Sequence, residues 1–405
     1  MFYNLSFYSL LVTQLTTNLA FSFYTMAITY YVYTLTNSVF FSSLITFISV
    51  GSKILSGLSI SIITEKIKIK NLLVFNAIFQ ILCMTILLIG INNNVNLVIL
   101  YIIIMFLSFS NGIFTPLKSR ILKENLDNND MAKGLSLITS LDQILLFSGW
   151  ILGAWIISLI GNNNLLLLSL ILLSLAFIAI INIKMKNKKE ELQSKNPIIT
   201  IMNSISLLNS KPIIKVLIII ECLEVLIGSI WIGSVTLKFV QVHLNHDVTW
   251  WGYINASYYL GTILGAFIVM KYTEFFNKRP IQKITIFMFI YGILLLLYSF
   301  NIIDIFALIL VVLIGPVLQI KDIIQETYFI NKINEKDMIK ITGLKNSLVQ
   351  LSFLVSILLV GYITEYIPIQ YIYTISGVIT CLIAIMFSRY MYTKNIHLEK
   401  VTKKT

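Results

Sequence analysis

The sequence LLVFNAIFQILCMTILLIGI at residues 72–91, followed closely by NLVILYIIIMFLSFSNGIFTPL at residues 96–117, decides the fold class. Each run is uncharged and is long enough to cross the roughly 30 Å hydrocarbon core of a bilayer as an α-helix. Neither run shows the alternating pattern of about 10 residues that a transmembrane strand requires. The two runs therefore predict an antiparallel pair of membrane-spanning helices joined by the uncharged turn Asn92-Asn93-Asn94.

The same pattern extends along the whole chain of 405 residues, of which 57% are hydrophobic and only 12% are charged. A soluble domain carries roughly 25% charged residues and could not bury so much apolar side chain. Working outward from the first pair, we find twelve apolar runs separated by polar breaks, which predict an all-α polytopic membrane protein. The runs lie at approximately residues 6–34, 38–63, 72–91, 96–117, 136–161, 164–183, 213–237, 250–271, 284–300, 303–320, 342–364 and 369–391.

The positions of lysine and arginine set the expected topology. Of the 30 basic residues, 28 follow an even-numbered run or end the chain, and only Lys53 and Lys238 do not. Since basic loops stay on the cytoplasmic side, both termini are expected in the cytoplasm. The formal net charge of +12 then belongs to the inner membrane face, so we expect no nucleic-acid partner.

The polar stretch from Lys184 to Lys211 divides the chain into two halves of six runs. The motif Asp-Met-Ala-Lys at 130–133 precedes run 5, and Asp-Met-Ile-Lys at 337–340 precedes run 11. This echo favours a duplicated unit and therefore two pseudo-symmetric six-helix bundles. The predicted segments are an N-terminal bundle at 1–184, a cytoplasmic central loop at 185–211, a C-terminal bundle at 212–393 and a cytoplasmic tail at 394–405.

Six plus six helices, a basic central loop and cytoplasmic termini resemble the major facilitator superfamily. Within it, residues 115–135 and 252–266 are similar to the macrolide-efflux-type branch of drug exporters. The acid–base pair in the superfamily's loop after run 2 is represented here by Glu65-Lys66, without the usual glycines. Ser108 stands where the proton antiporters of the superfamily carry an arginine.

Exporters of this superfamily carry a glycine motif in run 5, which Gly149 and Gly153 match in spacing. Gly261 and Gly265 repeat that spacing in run 8. Small residues four apart let two helices approach closely. In the superfamily runs 5 and 8 meet between the halves, so the resemblance implies a gating role, with ordinary helix packing as the alternative.

Ionisable groups inside apolar runs are candidate functional residues, because the bilayer makes them costly. Glu221 and Glu224 in run 7 lie three residues apart and so share one helix face. Two adjacent carboxylates at low dielectric do not readily both ionise, which suits proton coupling, and the pair would equally attract a cationic substrate. A buried pair that is bonded to neighbouring helices is the alternative interpretation.

Asp142 in run 5 could bind a proton or the substrate, or could lie in water near the cytoplasmic mouth. Lys53, deep in run 2, needs a water-filled cavity or an acid partner, either Asp142 or a run 7 glutamate, and a structural charge pair is the alternative. Candidate cavity-lining side chains are Gln14, Asn18, Gln143 and Trp231.

These features predict a secondary active transporter and not an enzyme. The leading hypothesis is a monomeric, proton-coupled exporter in the bacterial plasma membrane, conferring multidrug or macrolide resistance or releasing a metabolite. Its substrate would be a small organic compound, such as a cationic amphiphile. A nutrient importer or uniporter is a second hypothesis, and a non-transporting immunity or sensor protein on a transporter scaffold is a third. We expect no cofactor and no metal, because no run contains histidine and the three cysteines are far apart.

Overall fold

A computed structural model describes residues 5–93, 95–125, 128–183, 206, 208, 211–333 and 335–402. Side chains at 58, 60–66, 115–116, 118–140, 142–143, 146, 277, 335–340 and 392–402 are not described. The α-helices are α1 (Leu5–Thr36), α2 (Val39–Lys66), α3 (Ile69–Asn92), α4 (Leu97–Asn125), α5 (Asn128–Ile160), α6 (Asn162–Ile181), α7 (Pro212–Gly228), α8 (Gly233–Lys238), α9 (Val248–Lys271), α10 (Thr273–Asn277), α11 (Pro280–Ser299), α12 (Asp304–Asn331), α13 (Glu335–Tyr366) and α14 (Ile369–Thr402). The all-helical fold class is confirmed, and every predicted run is helical, with run 7 divided between α7 and α8.

Nine of the described helices are long and apolar enough to cross a membrane by length and composition alone. The other three predicted spans, in α1, α5 and the segment of α7 and α8, are not among these nine. Helix α1 carries the polar stretch 13–18, and α7 has only 17 residues before the chain departs from α-helix. In α5 several side chains up to 146 lie outside the described residues, and the described apolar segment is Phe147–Ile160.

Several helices continue past the apolar runs, at the ends predicted to be cytoplasmic. Helix α12 continues to Asn331, whereas run 10 ends at 320, and α14 continues to Thr402 through most of the predicted tail. The predicted central loop lies almost wholly outside the described residues. The interpretation of two lysines was wrong. Lys321 and Lys345 are among the 28 basic residues that were assigned to the cytoplasmic side of the membrane, but both side chains are buried, within α12 and α13.

The chain divides into two compact units, residues 1–193 with 247–252, and residues 194–246 with 253–405. In the first unit α1 packs against α5 and α6, α2 against α4, and α3 against α4 and α6. In the second unit α11 packs against α12 and α14, and α13 packs against α7. Each unit has its own apolar core, which includes Phe7 and Leu73 in the first and Met288 and Phe387 in the second.

A close helix crossing occurs at equivalent places in the two units. In the first unit a Cβ atom on Gly112 of α4 would lie 2.9 Å from the Cα atom of Lys53 in α2. In the second unit a Cβ atom on Gly315 of α12 would lie 2.7 Å from the Cα atom of Gly261 in α9. Runs 2 and 4 correspond to runs 8 and 10, so this repeated contact agrees with a duplicated six-helix unit.

Lys70 stabilises the end of another helix. Its Nζ atom donates hydrogen bonds to the carbonyl oxygens of Ile181 at 2.7 Å and Ile183 at 2.8 Å, and also to that of Ile180. The last carbonyls of a helix have no partners within the helix, and a cation there also complements the helix dipole.

We expect Lys70→Met to lower the free energy of unfolding by about 1–2 kcal/mol, because these charge-assisted hydrogen bonds would be lost. Thermal unfolding in detergent would measure the effect. The matched control is Lys68→Met, since Lys68 is exposed two residues earlier. Equal melting temperatures for the two variants would show that this cap contributes nothing to stability.

Candidate functional site

The helical path of run 7 is interrupted. Helix α7 ends at Gly228, a 3₁₀ turn and an extended Ile232 follow, and α8 begins at Gly233. The Tyr373 hydroxyl donates a hydrogen bond to the carbonyl oxygen of Ile230 at 3.1 Å, so part of the freed backbone is satisfied by a neighbouring helix. Irregular backbone at membrane depth is tolerated where it is buried in protein or lines a cavity.

A cavity of about 400 Å³ lies beside this interruption, within the second unit. That volume is in the range of small-molecule sites. Most of its polar lining is ionisable, and an aromatic group faces the same space. The carboxyl groups are those of Glu221, Glu224, Asp322 and Glu326, the ammonium group is that of Lys321, and the aromatic rings are those of Trp231, Tyr258, Tyr291 and Phe353.

Lys321 lies between two carboxyl groups. Its Nζ atom is 2.7 Å from Oε1 of Glu224 and 2.8 Å from Oδ1 of Asp322. The Lys321 side chain is only 6% exposed and that of Glu224 15%, whereas that of Asp322 is 61% exposed. The other carboxylate oxygen of Glu224, Oε2, is buried and accepts no hydrogen bond from the described part of the chain. One acid of this triplet is thus enclosed and incompletely bonded, while the other is open to the surroundings.

Lys345 of α13 forms a second charged group beside the first. Its Nζ atom lies 3.4 Å from Oε1 of Glu221 and donates a short hydrogen bond to Glu326. It also lies 4.6 Å from the ring centroid of Phe329, as in a cation–π contact. Its side chain is 5% exposed. The two lysines together connect α7, α12 and α13.

The aromatic wall is held by its own contacts. Trp231 lies in the 3₁₀ turn, and its Nε1 atom donates a hydrogen bond to the Tyr291 hydroxyl at 3.0 Å. Its ring stacks on that of Tyr258, with centroids 5.9 Å apart and planes inclined by 23°. Such faces attract apolar and cationic groups. The cavity therefore combines an acidic wall with an aromatic wall.

A sequence profile described as the Major Facilitator Superfamily matches residues 10–320. The chain belongs to this superfamily. It is 34% identical over 397 residues to a Bacillus subtilis (strain 168) protein named "Uncharacterized MFS-type transporter YfmI", covering 96% of this chain and 98% of the relative. A second relative in that organism, "Uncharacterized MFS-type transporter YjbB", is 24% identical over 351 residues, 85% of each chain.

Solved structures show the same fold. The nucleoside transporter NupG superimposes with a TM-score of 0.75 at 12% identity, covering 95% of this chain and 98% of that one. At this identity the likeness concerns the fold alone. As a major facilitator, the protein is a multi-pass membrane transporter, and its homologues indicate a transporter and not an enzyme.

In this major facilitator the structure brings Glu221, Glu224 and Trp231 to one cavity. Gln14 is buried and Asn18 half-buried, one turn apart on α1. Both side chains have interaction partners, and neither lines the cavity of the second unit. The side chains of Asp142, Gln143, Glu65 and Lys66 lie outside the described residues.

Pairing of Lys53 with a run 7 glutamate stays a prediction; within the second unit, Glu224 lies beside Lys321 and Glu221 beside Lys345. Pairing with Asp142 stays a prediction, because that side chain lies outside the described residues.

The four predicted packing glycines contact helices of their own units. A Cβ atom on Gly149 or Gly153 would meet side chains of α1, at 3.4 Å from Ser22 and 2.7 Å from Met26 respectively. Cβ atoms on Gly261 and Gly265 would meet the backbone of α12, at 2.6 Å and 2.7 Å. These contacts place the glycines at helix crossings, and a gating role for them stays a prediction.

Sequence reasoning missed Lys321, Asp322, Glu326 and Lys345 as site residues. A signal was available: Ile320 and Ile324 continue the apolar spacing of run 10, and both are buried. Extending the helix through them would have placed Lys321, which lies between them and is buried, inside the bundle.

Proposed function

We propose that this major facilitator is a secondary active transporter that exports a small organic cation in exchange for protons, by alternating access. The observation that carries the proposal is the composition of the cavity wall, which has four carboxyl groups and a single lysine among the described residues. Even with Lys345 counted, which pairs with two of these carboxyl groups, the acids outnumber the lysines by four to two. Surplus acid in a membrane protein attracts cations or holds protons. The stacked Trp231 and Tyr258 rings supply a surface for the apolar part of the substrate.

Proton coupling is assigned to Glu224. The charged form of this carboxylate is supported by Lys321, while its Oε2 atom lacks a hydrogen bond within the described region. A proton on Glu224 would remove its attraction for Lys321 and leave that of Asp322, and departure of the proton would restore the first attraction. Protonation and the arrangement of the cavity wall are thereby linked, as exchange of protons for a cation requires.

Outward direction and membership of the macrolide-efflux-type branch are proposed from the glycine spacing in run 5 and the similar stretches at 115–135 and 252–266. Placement in the bacterial plasma membrane with both termini cytoplasmic is proposed from the distribution of basic residues. We take the working unit to be a monomer, since each six-helix unit has its own core.

Proton movement in proteoliposomes tests the proposal. The purified protein is reconstituted with an internal pH dye in vesicles with an acidic lumen, so that the proton gradient points outward, and lipophilic cations such as tetraphenylphosphonium, ethidium and phenethylamine are added outside. We expect cation-evoked proton flux in the unmodified protein and a loss of at least about 100-fold in Glu224→Gln, because the proton-carrying group is gone.

The matched control is Glu274→Gln, since Glu274 is an exposed residue of α10. This variant is expected to retain full flux. Flux that persists in Glu224→Gln would remove Glu224 from the coupling mechanism. An absence of flux with every cation, in protein that is monodisperse and correctly inserted, would count against proton-coupled cation transport.

A further inference from the structure

The ammonium group of Lys321 occupies the position that a cationic ligand of this cavity would be expected to take. It bonds at 2.7 Å to Glu224 and 2.8 Å to Asp322, which are the separations of good charge-assisted hydrogen bonds. It is also one of the groups lining the cavity, together with Trp231 and Tyr258. Lys321 is thus a primary ammonium group that lies between two carboxylates in a cavity with aromatic walls. A bound primary amine would be expected to lie in the same surroundings.

On the basis of the proposed function, we infer that Lys321 is an internal competitor and that the substrate is a primary amine with an aromatic or apolar body. The amine displaces the lysine from Glu224 and Asp322, while its apolar part packs against Trp231 and Tyr258. A site that is partly filled by its own side chain binds ligand more weakly, because its affinity is multiplied by the fraction of time that the site is free. Lys321 therefore sets the affinity and excludes cations that cannot match a primary ammonium group.

A second hydrogen-bond acceptor is available to the displaced Lys321 side chain. Gln325 lies one turn further along α12, on the same face as Lys321, and also lines the cavity. Its Oε1 atom is buried and accepts no hydrogen bond from the described residues. An ammonium group that leaves Glu224 can donate to this oxygen, so the competitor moves between two acceptors and is not expelled into an apolar region.

The second lysine does not share this role. Lys345 is held by Glu221 and Glu326 and lies against Phe329. It is not among the residues that form the described cavity lining. Its ammonium group therefore holds the helices together behind the cavity, and its removal would not open a ligand position.

Calorimetric binding of phenethylamine to the purified protein, with no proton gradient, tests the inference. We expect Lys321→Met to bind at least about tenfold more tightly than the unmodified protein, because the competitor is gone. Lys321→Arg is expected to bind at least about tenfold more weakly, because a guanidinium group holds carboxylates with paired hydrogen bonds. Lys332→Met, an exposed lysine at the end of the same helix, is the control and is expected to match the unmodified protein.

Weaker or unchanged binding by Lys321→Met would overturn the inference, because it would make the lysine a ligand contact or irrelevant. If Lys321→Met binds phenethylamine and the unmodified protein shows no binding, the inference is supported. If neither protein binds phenethylamine, the inference is overturned. If Lys321→Met does not fold, Lys321→Arg decides alone, and binding as tight as that of the unmodified protein rejects the idea. Calorimetric binding needs no proton gradient, so tighter binding by Lys321→Met can be observed in the absence of cation-evoked proton flux, and proton flux can be observed without it. Failure of the inference and failure of the proposed function are therefore distinguishable.

Discussion

Replacement of Lys345 by methionine is expected to lower the free energy of unfolding by about 3–5 kcal/mol, among the largest losses from a single substitution here. The physical reason is that Glu221 and Glu326 would keep their positions while losing the cation that compensates them. The Lys345 side chain is 5% exposed and that of Glu221 is 26% exposed, so most of the loss is expected at Glu221, whereas Glu326, at 44% exposed, is partly compensated by water. Unfolding in detergent, followed by intrinsic fluorescence, would measure the loss.

Two comparisons separate loss of charge compensation from loss of packing. Lys332→Met makes the same change at an exposed position and is expected to be neutral. Adding Glu221→Gln and Glu326→Gln to Lys345→Met removes the uncompensated charges and is expected to restore much of the stability, since neutral replacements of buried ion pairs are often tolerated. If the triple variant is no more stable than Lys345→Met, the lysine acts through packing, for example against Phe329.

Gly315→Ala is expected to have an effect of similar size on the second unit. The added Cβ atom would lie 2.7 Å from the Cα and carbonyl carbon of Gly261 and from the backbone nitrogen of Thr262. Backbone atoms cannot move aside as a flexible side chain can, so α9 and α12 must separate. Overpacking in a close-packed interior usually costs 1–3 kcal/mol, and contact with backbone places this case at about 3 kcal/mol or more.

The same substitution at Gly343 gives the matched control. That glycine is in α13, and a Cβ atom there would have nothing within 4 Å. Since alanine favours helix over glycine by roughly 0.5–1 kcal/mol, Gly343→Ala is expected to be neutral or slightly stabilising. Melting temperatures that change in the same direction in both variants would mean that the α9–α12 crossing can relax, contrary to its geometry.

The number and type of elements could be predicted because bilayer thickness imposes a minimum apolar length on each helix. The hairpin of runs 3 and 4 illustrates this: the predicted 72–91 and 96–117 correspond to α3 at Ile69–Asn92 and α4 at Leu97–Asn125. The far ends were less predictable, as in α12, which continues to Asn331. A helix ends where its backbone finds other partners, and hydropathy does not report that point.

Two of the six residues in the charged cluster could be read from the sequence for a related reason. Glu221 and Glu224 interrupt an apolar run and are conspicuous, whereas Lys321 and Lys345 follow or begin runs and resemble ordinary cytoplasmic lysines. Which acid faces which lysine depends on how α7, α12 and α13 pack, and no spacing within one helix contains that information. The aromatic wall was likewise visible only at Trp231, because its partners are on other helices.

The interruption of run 7 at the end of α7 affects the electrostatic potential in the cavity. The C-terminal end of an α-helix carries about half an elementary negative charge, which arises from the alignment of its peptide dipoles. Helix α7 ends at Gly228, which is on the cavity wall. Unlike the charge of Glu224, this charge belongs to the backbone and cannot be neutralised by a proton. Part of the attraction of this wall for a cation is therefore independent of pH. In the proposed exchange, protonation of Glu224 would weaken the binding of a cation without abolishing its electrostatic attraction to the cavity.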